Sequence, residues 1–214
     1  MGFSFLIFDL DGTLINSQID IASAVNSVRW KYGFERLSVK RIRSYLGSGI
    51  DRLLDKAIPK KKGIDKSEVV ELFEFYYGEC LVNATVIYDG VVEMLEALKN
   101  KDKAILSNKT EKFSCEIVKR LKISNYFIKV WGGDSVIGAR KPDPRPVVNL
   151  IKVTNSDISE TVMIGDGAND FLAAKAAGIP SIAVSYGYSD VRLINRYNPD
   201  FIVKTPKDII DIVF

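Results

Sequence analysis

No histidine occurs among the 214 residues of this chain. Every mechanism that needs an imidazole as acid, base, nucleophile or metal ligand is therefore closed to it. Cysteine is nearly as scarce. Cys80 and Cys115 are the two present, neither stands in a metal-ligand spacing, and both fall in helical patterns, so reduced thiols in a cytosolic protein are expected. Charge of one sign is also lacking: 30 Lys and Arg against 27 Asp and Glu leave a net +3, too weak for bulk electrostatics to argue for nucleic acid. The one basic run, Lys60-Lys61-Lys62 between Pro59 and Gly63, reads as a solvated loop between helices. No apolar stretch is long enough to span a bilayer, and the first apolar run is too short for a signal peptide and is broken by Asp9. A soluble, cytoplasmic protein is expected, a monomer or homodimer with neither nucleic acid nor membrane as partner.

What is present has ordinary globular composition, with 47% hydrophobic and 27% charged residues, and suits one large domain or a core with a modest insertion. Residues 5–8 (Phe-Leu-Ile-Phe) form a short continuous apolar run, the mark of a strand buried on both faces. The run ends on Asp9-Leu10-Asp11-Gly12-Thr13. Residues two apart on an extended chain project the same way, so Asp9 and Asp11 can reach one pocket. Two converging carboxylates are costly unless a cation or a shared proton relieves them. An acidic loop that merely caps the following helix is the plainer alternative, and the apolar strand leading into it favours the pocket.

After Leu14 the texture is helical for about seventy residues by the 3.6-residue period, with no convincing strand between Ile15 and Asn83. From Tyr88 onward short apolar strands at 104–106, 128–131, 162–164, 182–184 and 201–203 alternate with helical segments at 90–99, 111–121, 144–153, 170–177 and 206–213. That alternation implies an α/β fold with a doubly wound parallel sheet. The expected division is a core of residues 1–14 and 84–214, with a small helical insertion at 15–83 after the first strand. In such sheets ligands bind beyond the carboxyl ends of the strands. The strand-ending loops carry Asp9 and Asp11, then Ser107-Asn108-Lys109, then Gly132-Gly133-Asp134, then Gly165-Asp166-Gly167-Ala168-Asn169-Asp170. Turn geometry alone can recruit Gly and Asp, but four such loops together point to a site.

In order and context, Asp9-Leu10-Asp11-Gly12-Thr13, Ser107, Lys141 in Ala139-Arg140-Lys141-Pro142-Asp143-Pro144, and Gly165 to Asp170 resemble the four motifs of the haloacid dehalogenase-like (HAD) hydrolase superfamily. The resemblance spans almost the whole chain. It implies a Rossmann-like core and a Mg²⁺-dependent phosphatase acting through an aspartyl phosphate. Asp9 would be the nucleophile and Asp11 the acid and base. Ser107, Asn108 and Thr13 would meet phosphoryl oxygens, with Lys141 as the neutralising cation. The implied metal ligands are Asp9, the main-chain carbonyl of Asp11 and Asp166, with Asp170 acting through water. Taken without that context, Asp166 and Asp170 read as a turn and a helix cap, and Lys141 as a surface lysine.

Within the superfamily, Asp11 argues against the dehalogenase branch. The missing histidine argues against the mutase branch, and no lysine stands in a matching Schiff-base motif. The stretches 8–17, 107–109, 132–134, 141–144 and 184–188 are most similar to bacterial phosphoglycolate phosphatases, which implies a small phosphorylated metabolite, 2-phosphoglycolate, as substrate. Pyrophosphate, sugar phosphates and nucleotides remain as alternatives, and so does a non-catalytic binding module. In the insertion, residues 45–54 are similar to a substrate-facing loop of those enzymes. That makes Gly47 and Gly49 candidates for close backbone approach and Arg52 a candidate for gripping a carboxylate, against readings as a flexible turn and a solvated arginine.

Overall fold

The opening apolar run is the centre of the fold. In the computed structural model, which describes residues 2–214, β1 (Phe5–Phe8) is buried at every position. β2 (Ile15–Asn16) and β3 (Val86–Ile87) pair in a separate two-stranded sheet. β1 itself joins β4 (Asp102–Leu106), β5 (Lys129–Trp131), β6 (Thr161–Gly165), β7 (Ser181–Val184) and β8 (Phe201–Val203) in a six-stranded sheet ordered β5-β4-β1-β6-β7-β8. All pairings within it are parallel, and Phe8 stands in register with Ile105 on one side and Ile164 on the other. The carboxyl ends of all six strands therefore lie along one edge, and the strand order reverses direction at β1.

β2 corrects the expectation that no strand lies between 15 and 83. Its two residues are too few to show a period-2 pattern, and its partner lies some seventy residues away in the sequence.

Two compact units are distinguished, residues 1–16 with 87–214 and residues 17–86. The second is helical: α1 (Gln18–Lys31), α2 (Val39–Arg43), α3 (Ile50–Ala57) and α4 (Lys66–Cys80), with α1 packed on α4, α2 and α3. Val69, Phe73 and Tyr77 recur every fourth residue along α4 and make its buried stripe, the last two rings stacked 5.4 Å apart. Arg29 is buried but satisfied, donating from Nε to the Glu35 carbonyl at 2.7 Å and from the guanidinium to the Ala57 carbonyl. Buried Asp20 accepts from the amides of Ala84 and Thr85 and from the Thr85 hydroxyl at 2.7–3.0 Å, tying the start of α1 to the chain beyond α4. Lys60, Lys61 and Lys62 lie exposed between α3 and α4.

In the first unit the parallel strands are joined through α5 (Val91–Ala97), α6 (Glu111–Arg120), α7 (Arg145–Val153), α8 (Ala168–Ala177) and α9 (Val191–Ile194), and α10 (Pro206–Val213) follows the last strand. Phe5 and Ile7 of β1, Ala104 and Leu106 of β4 and Met163 of β6 present one face of the sheet to Val147, Leu150 and Ile151 of α7 and to Ala173, Ala174 and Ala177 of α8. Each large aliphatic side chain buried there contributes about 1.5–3 kcal/mol. Alanines on α8 keep that helix close to the sheet. Cys80 and Cys115 are both free. Among the described residues, no helix is long and apolar enough to cross a membrane.

Candidate active site

The loop after β1 leaves the sheet under tight control. The Asp9 amide still donates to the Ile164 carbonyl at 2.8 Å, so Asp9 sits where β1 and β6 end together. Beyond it the Leu14 and Ile15 amides both turn back to the Leu10 carbonyl, at 3.0 and 3.1 Å. Gly12, at φ +90°, lies where a Cβ would fall 2.5 Å from an Asp166 carboxylate oxygen. The loop after β7 closes on the same point. Tyr188 donates its amide to Asp166 Oδ2 at 2.7 Å, and the Tyr186 hydroxyl donates to the Thr13 carbonyl at 3.1 Å. Asp166 is thus aimed by chain segments that follow three different strands.

Lys141, on the stretch between β5 and α7, is 3% exposed and donates to Asp9 Oδ1 at 2.8 Å and to Asp170 Oδ1 at 2.6 Å. Its segment is fastened by Asn108, whose Nδ2 donates to the Lys141 carbonyl at 2.8 Å. Asp170 has two tasks at once. Its other oxygen accepts from the Gly167 amide at 3.1 Å, capping α8, so the helix begins at Ala168 rather than at 170 as the periodicity suggests. The plain capping reading of Asp170 and its place in a charged cluster therefore both hold.

Asp9, Asp166 and Asp170 each offer an oxygen within 4.8 Å of the others. Burial raises the Asp9 pKa to about 7; Lys141 opposes the rise, while Asp170 and Asp11 add to it. Asp166 is raised well above the usual carboxylate range, first by burial and then by Asp9 and Asp170, with the amides of Tyr188 and Ser189 pulling the other way. For Lys141 burial favours the neutral amine, yet Asp170 and Asp9 outweigh it and hold the ammonium more firmly than usual. Three clustered carboxylates, only two of them paired with the one lysine, leave negative charge uncompensated, and an all-oxygen donor set of this kind fits a hard divalent cation such as Mg²⁺.

The remaining motif residues line the same edge of the sheet. Ser107 is buried at the end of β4, and its Oγ accepts from the Lys109 amide at 3.2 Å. Asn108 is buried beside it, and Thr13 is fully buried with no hydrogen-bond partner for Oγ1 among the described residues. Asp11 stands apart from the three clustered carboxylates and pairs with Lys109, whose Nζ lies 3.3 Å from Asp11 Oδ2. Gly47, Gly49 and Arg52 belong to the helical unit. The two glycines take φ +94° and +86° in the turn that leads into α3, and Arg52 is exposed in the first turn of that helix.

Three contributors escaped the motif reading. Lys109 follows Ser107 and Asn108 directly, so its position was visible, but only the pairing of β1 with β4 sets it against Asp11. The Tyr188 amide carries no side-chain signature. Gly187 is demanded by packing: a Cβ there would fall 2.3 Å from the Gly12 carbonyl and 2.5 Å from Asp166 Cβ. Gly187→Ala should therefore displace Asp166 and raise the divalent-cation concentration needed for half-maximal activity by about tenfold, the scale on which disturbing a ligand's support acts. An unchanged cation requirement in that variant would show that the loop yields instead.

Residues 6–184 match the family model of the haloacid dehalogenase-like hydrolases. The phosphoglycolate phosphatase of Vibrio parahaemolyticus is 35% identical to this chain over 217 residues, covering 97% of this chain and 95% of its own length. The phosphoglycolate phosphatase of Aquifex aeolicus is likewise 35% identical, over 97% and 95%. A crystal structure from Haemophilus somnus, described as a predicted phosphoglycolate phosphatase, superposes with a TM-score of 0.93 at 31% identity, covering 99% of this chain and 98% of that one.

Proposed function

This chain belongs to the haloacid dehalogenase-like hydrolase family, and we propose that within it the protein is a magnesium-dependent phosphatase whose preferred ester is 2-phosphoglycolate. It is a phosphoric monoester hydrolase, as its phosphatase relatives indicate. The observation that carries the reading is the cluster of Asp9, Asp166 and Asp170 at the carboxyl edge of the sheet, with buried Lys141 paired to Asp9 and Asp170.

Hydrolysis of a phosphate monoester depends on positioning and on neutralising charge. Asp9 is the proposed nucleophile: its free oxygen attacks phosphorus, the bond to the leaving alkoxide breaks, and an aspartyl phosphate divides the reaction into two easier steps. Asp9, Asp166 and the Asp11 carbonyl would hold Mg²⁺, with Asp170 beyond them, and the bound ion would screen the repulsion between Asp9 and the phosphoryl oxygens. Lys141 keeps Asp9 oriented and adds positive charge where the phosphoryl group must sit. Ser107, Asn108 and the unpartnered hydroxyl of Thr13 are the proposed phosphoryl contacts. Asp11 protonates the departing alkoxide and then takes a proton from the water that attacks the intermediate.

The substrate follows the relatives and a cationic candidate in the helical unit, Arg52, for the carboxylate. A panel of phosphate esters ranked by kcat/KM with Mg²⁺ tests the assignment, and a preference for sugar phosphates or pyrophosphate would overturn it while leaving the Asp9 chemistry standing. Arg52→Ala should cost 2-phosphoglycolate roughly 1.5–3 kcal/mol, about ten- to a hundredfold in kcat/KM, the value of a charge-assisted hydrogen bond. An aryl phosphate, which has no carboxylate to grip, should be spared. Equal losses on both would remove Arg52 from that role.

A further inference from the structure

Three of the four carboxylates of the site are shared between two lysines, and the fourth, Asp166, accepts from the Tyr188 amide. Lys141 holds Asp9 and Asp170, and Asp11 falls to Lys109. We propose that Lys109 is a positioning residue for proton transfer: it holds Asp11 by Oδ2, so that the other carboxyl oxygen faces the leaving group. The proposal rests on the reading of Asp11 as the acid and base of the reaction.

Several independent features aim this lysine. β1 and β4 are neighbours with Phe8 opposite Ile105, so the loops that carry Asp11 and Lys109 leave the sheet side by side. The Lys109 backbone is fixed at both of its polar atoms: its amide donates to Ser107 Oγ at 3.2 Å, and its carbonyl accepts from the Gly133 amide at 2.7 Å. Gly133 is pressed so closely on this segment that a Cβ would fall 2.7 Å from the Asn108 carbonyl oxygen. The Lys109 side chain is only 9% exposed and that of Asp11 17%. An ammonium so far withdrawn from water needs an anion, and the loop lets it swing little in search of another.

The chemistry gives the pair a use in both half-reactions. As the ester bond breaks, the proton moves from the Asp11 carboxyl to the leaving oxygen, and the carboxylate left behind is met by the Lys109 ammonium. In the second half Asp11 takes one proton from the attacking water, whose oxygen forms the new bond to phosphorus as the bond to Asp9 breaks. Lys109 itself gives up no proton and touches no substrate atom. Without it Asp11 would lose the ion pair that holds Oδ2.

Leaving-group dependence separates this role from its competitors. The full-length protein with Mg²⁺ is assayed on 2-phosphoglycolate, ethyl phosphate and p-nitrophenyl phosphate, as wild type, Lys109→Met, Lys109→Gln, Lys109→Arg and Asp11→Asn. A poor alkoxide leaving group needs its proton and a nitrophenolate does not. Lys109→Met and Lys109→Gln should therefore lose about tenfold or more in kcat on both alkyl esters and less than about threefold on the aryl ester, a fraction of the whole worth of a positioned acid. Lys109→Arg, which keeps the cation, should recover most of the loss. Equal losses on all three esters would make Lys109 a phosphoryl contact, and a loss confined to 2-phosphoglycolate would make it a carboxylate contact; either result overturns the proposal. Asp11→Asn reports on the underlying reading. If it shows no leaving-group dependence, Asp11 is not the acid; if it does and the Lys109 variants do not, only the role of Lys109 falls.

Discussion

Asp9→Asn is expected to leave no measurable metal-dependent phosphatase activity, a loss on the order of 10⁴–10⁶ in kcat, as when other nucleophiles that act within a unit are removed. An amide cannot attack phosphorus to form the acyl phosphate, and its oxygen is a poor ligand for a hard cation. The fold should survive the change. Lys141 keeps Asp170 as a partner at 2.6 Å, and the Asp9 main-chain bond to Ile164 does not involve the side chain. Asparagine also removes a carboxylate that burial holds near pKa 7, so the variant should be no less stable than wild type without metal. Single-turnover phosphate release together with a thermal melt checks both halves. Near-normal turnover in Asp9→Asn would sink the mechanism.

Lys141→Ala is expected to carry the second-largest effect, about 10²–10³ in kcat, on the scale of losing one preorganised electrostatic contact to the reacting group. It should also destabilise the protein, because Asp9 and Asp170 would be left buried and facing each other without their cation. Removing one member of a buried pair costs about 3–5 kcal/mol. The carboxylates proposed to bind the cation all remain in this variant, so the Mg²⁺ concentration for half-maximal activity should change little. Asp166→Ala should do the reverse, raising that concentration through the loss of a charged ligand. If the two Mg²⁺ titrations proved indistinguishable, the division of labour between Lys141 and Asp166 would be wrong.

Much of this architecture is legible in local pattern. A four-residue apolar run such as Phe5–Phe8 has few alternatives to a doubly covered strand, and the alternation of short strands and helices after Tyr88 admits a parallel sheet and little else. Parallel pairing then sends every strand-ending loop to one edge. The placement of Asp9, Ser107, Lys141 and Asp166 along that edge follows from the sequence, and the match to the family is already carried by those motifs. β2 escaped because two residues have no period, and their strand exists only through pairing with Val86–Ile87.

Which groups actually meet was decided by tertiary structure. Sequence spacing puts Asp9 and Asp11 on one side of an extended chain. The folded loop groups Asp9 with Asp166 and Asp170 and, at the same edge, pairs Asp11 with Lys109. Asp170 reads in the sequence as either a cap or a charged-site residue, and only the position of Lys141, buried through the anchoring of its segment by Asn108, makes it both. The Tyr188 amide and the absent side chain of Gly187 complete the setting of Asp166. The physical reason is common to all of these: residue type and period determine which backbone elements form and in what order, whereas a hydrogen bond or ion pair between loops depends on distances of a few tenths of an ångström that only the packed sheet sets.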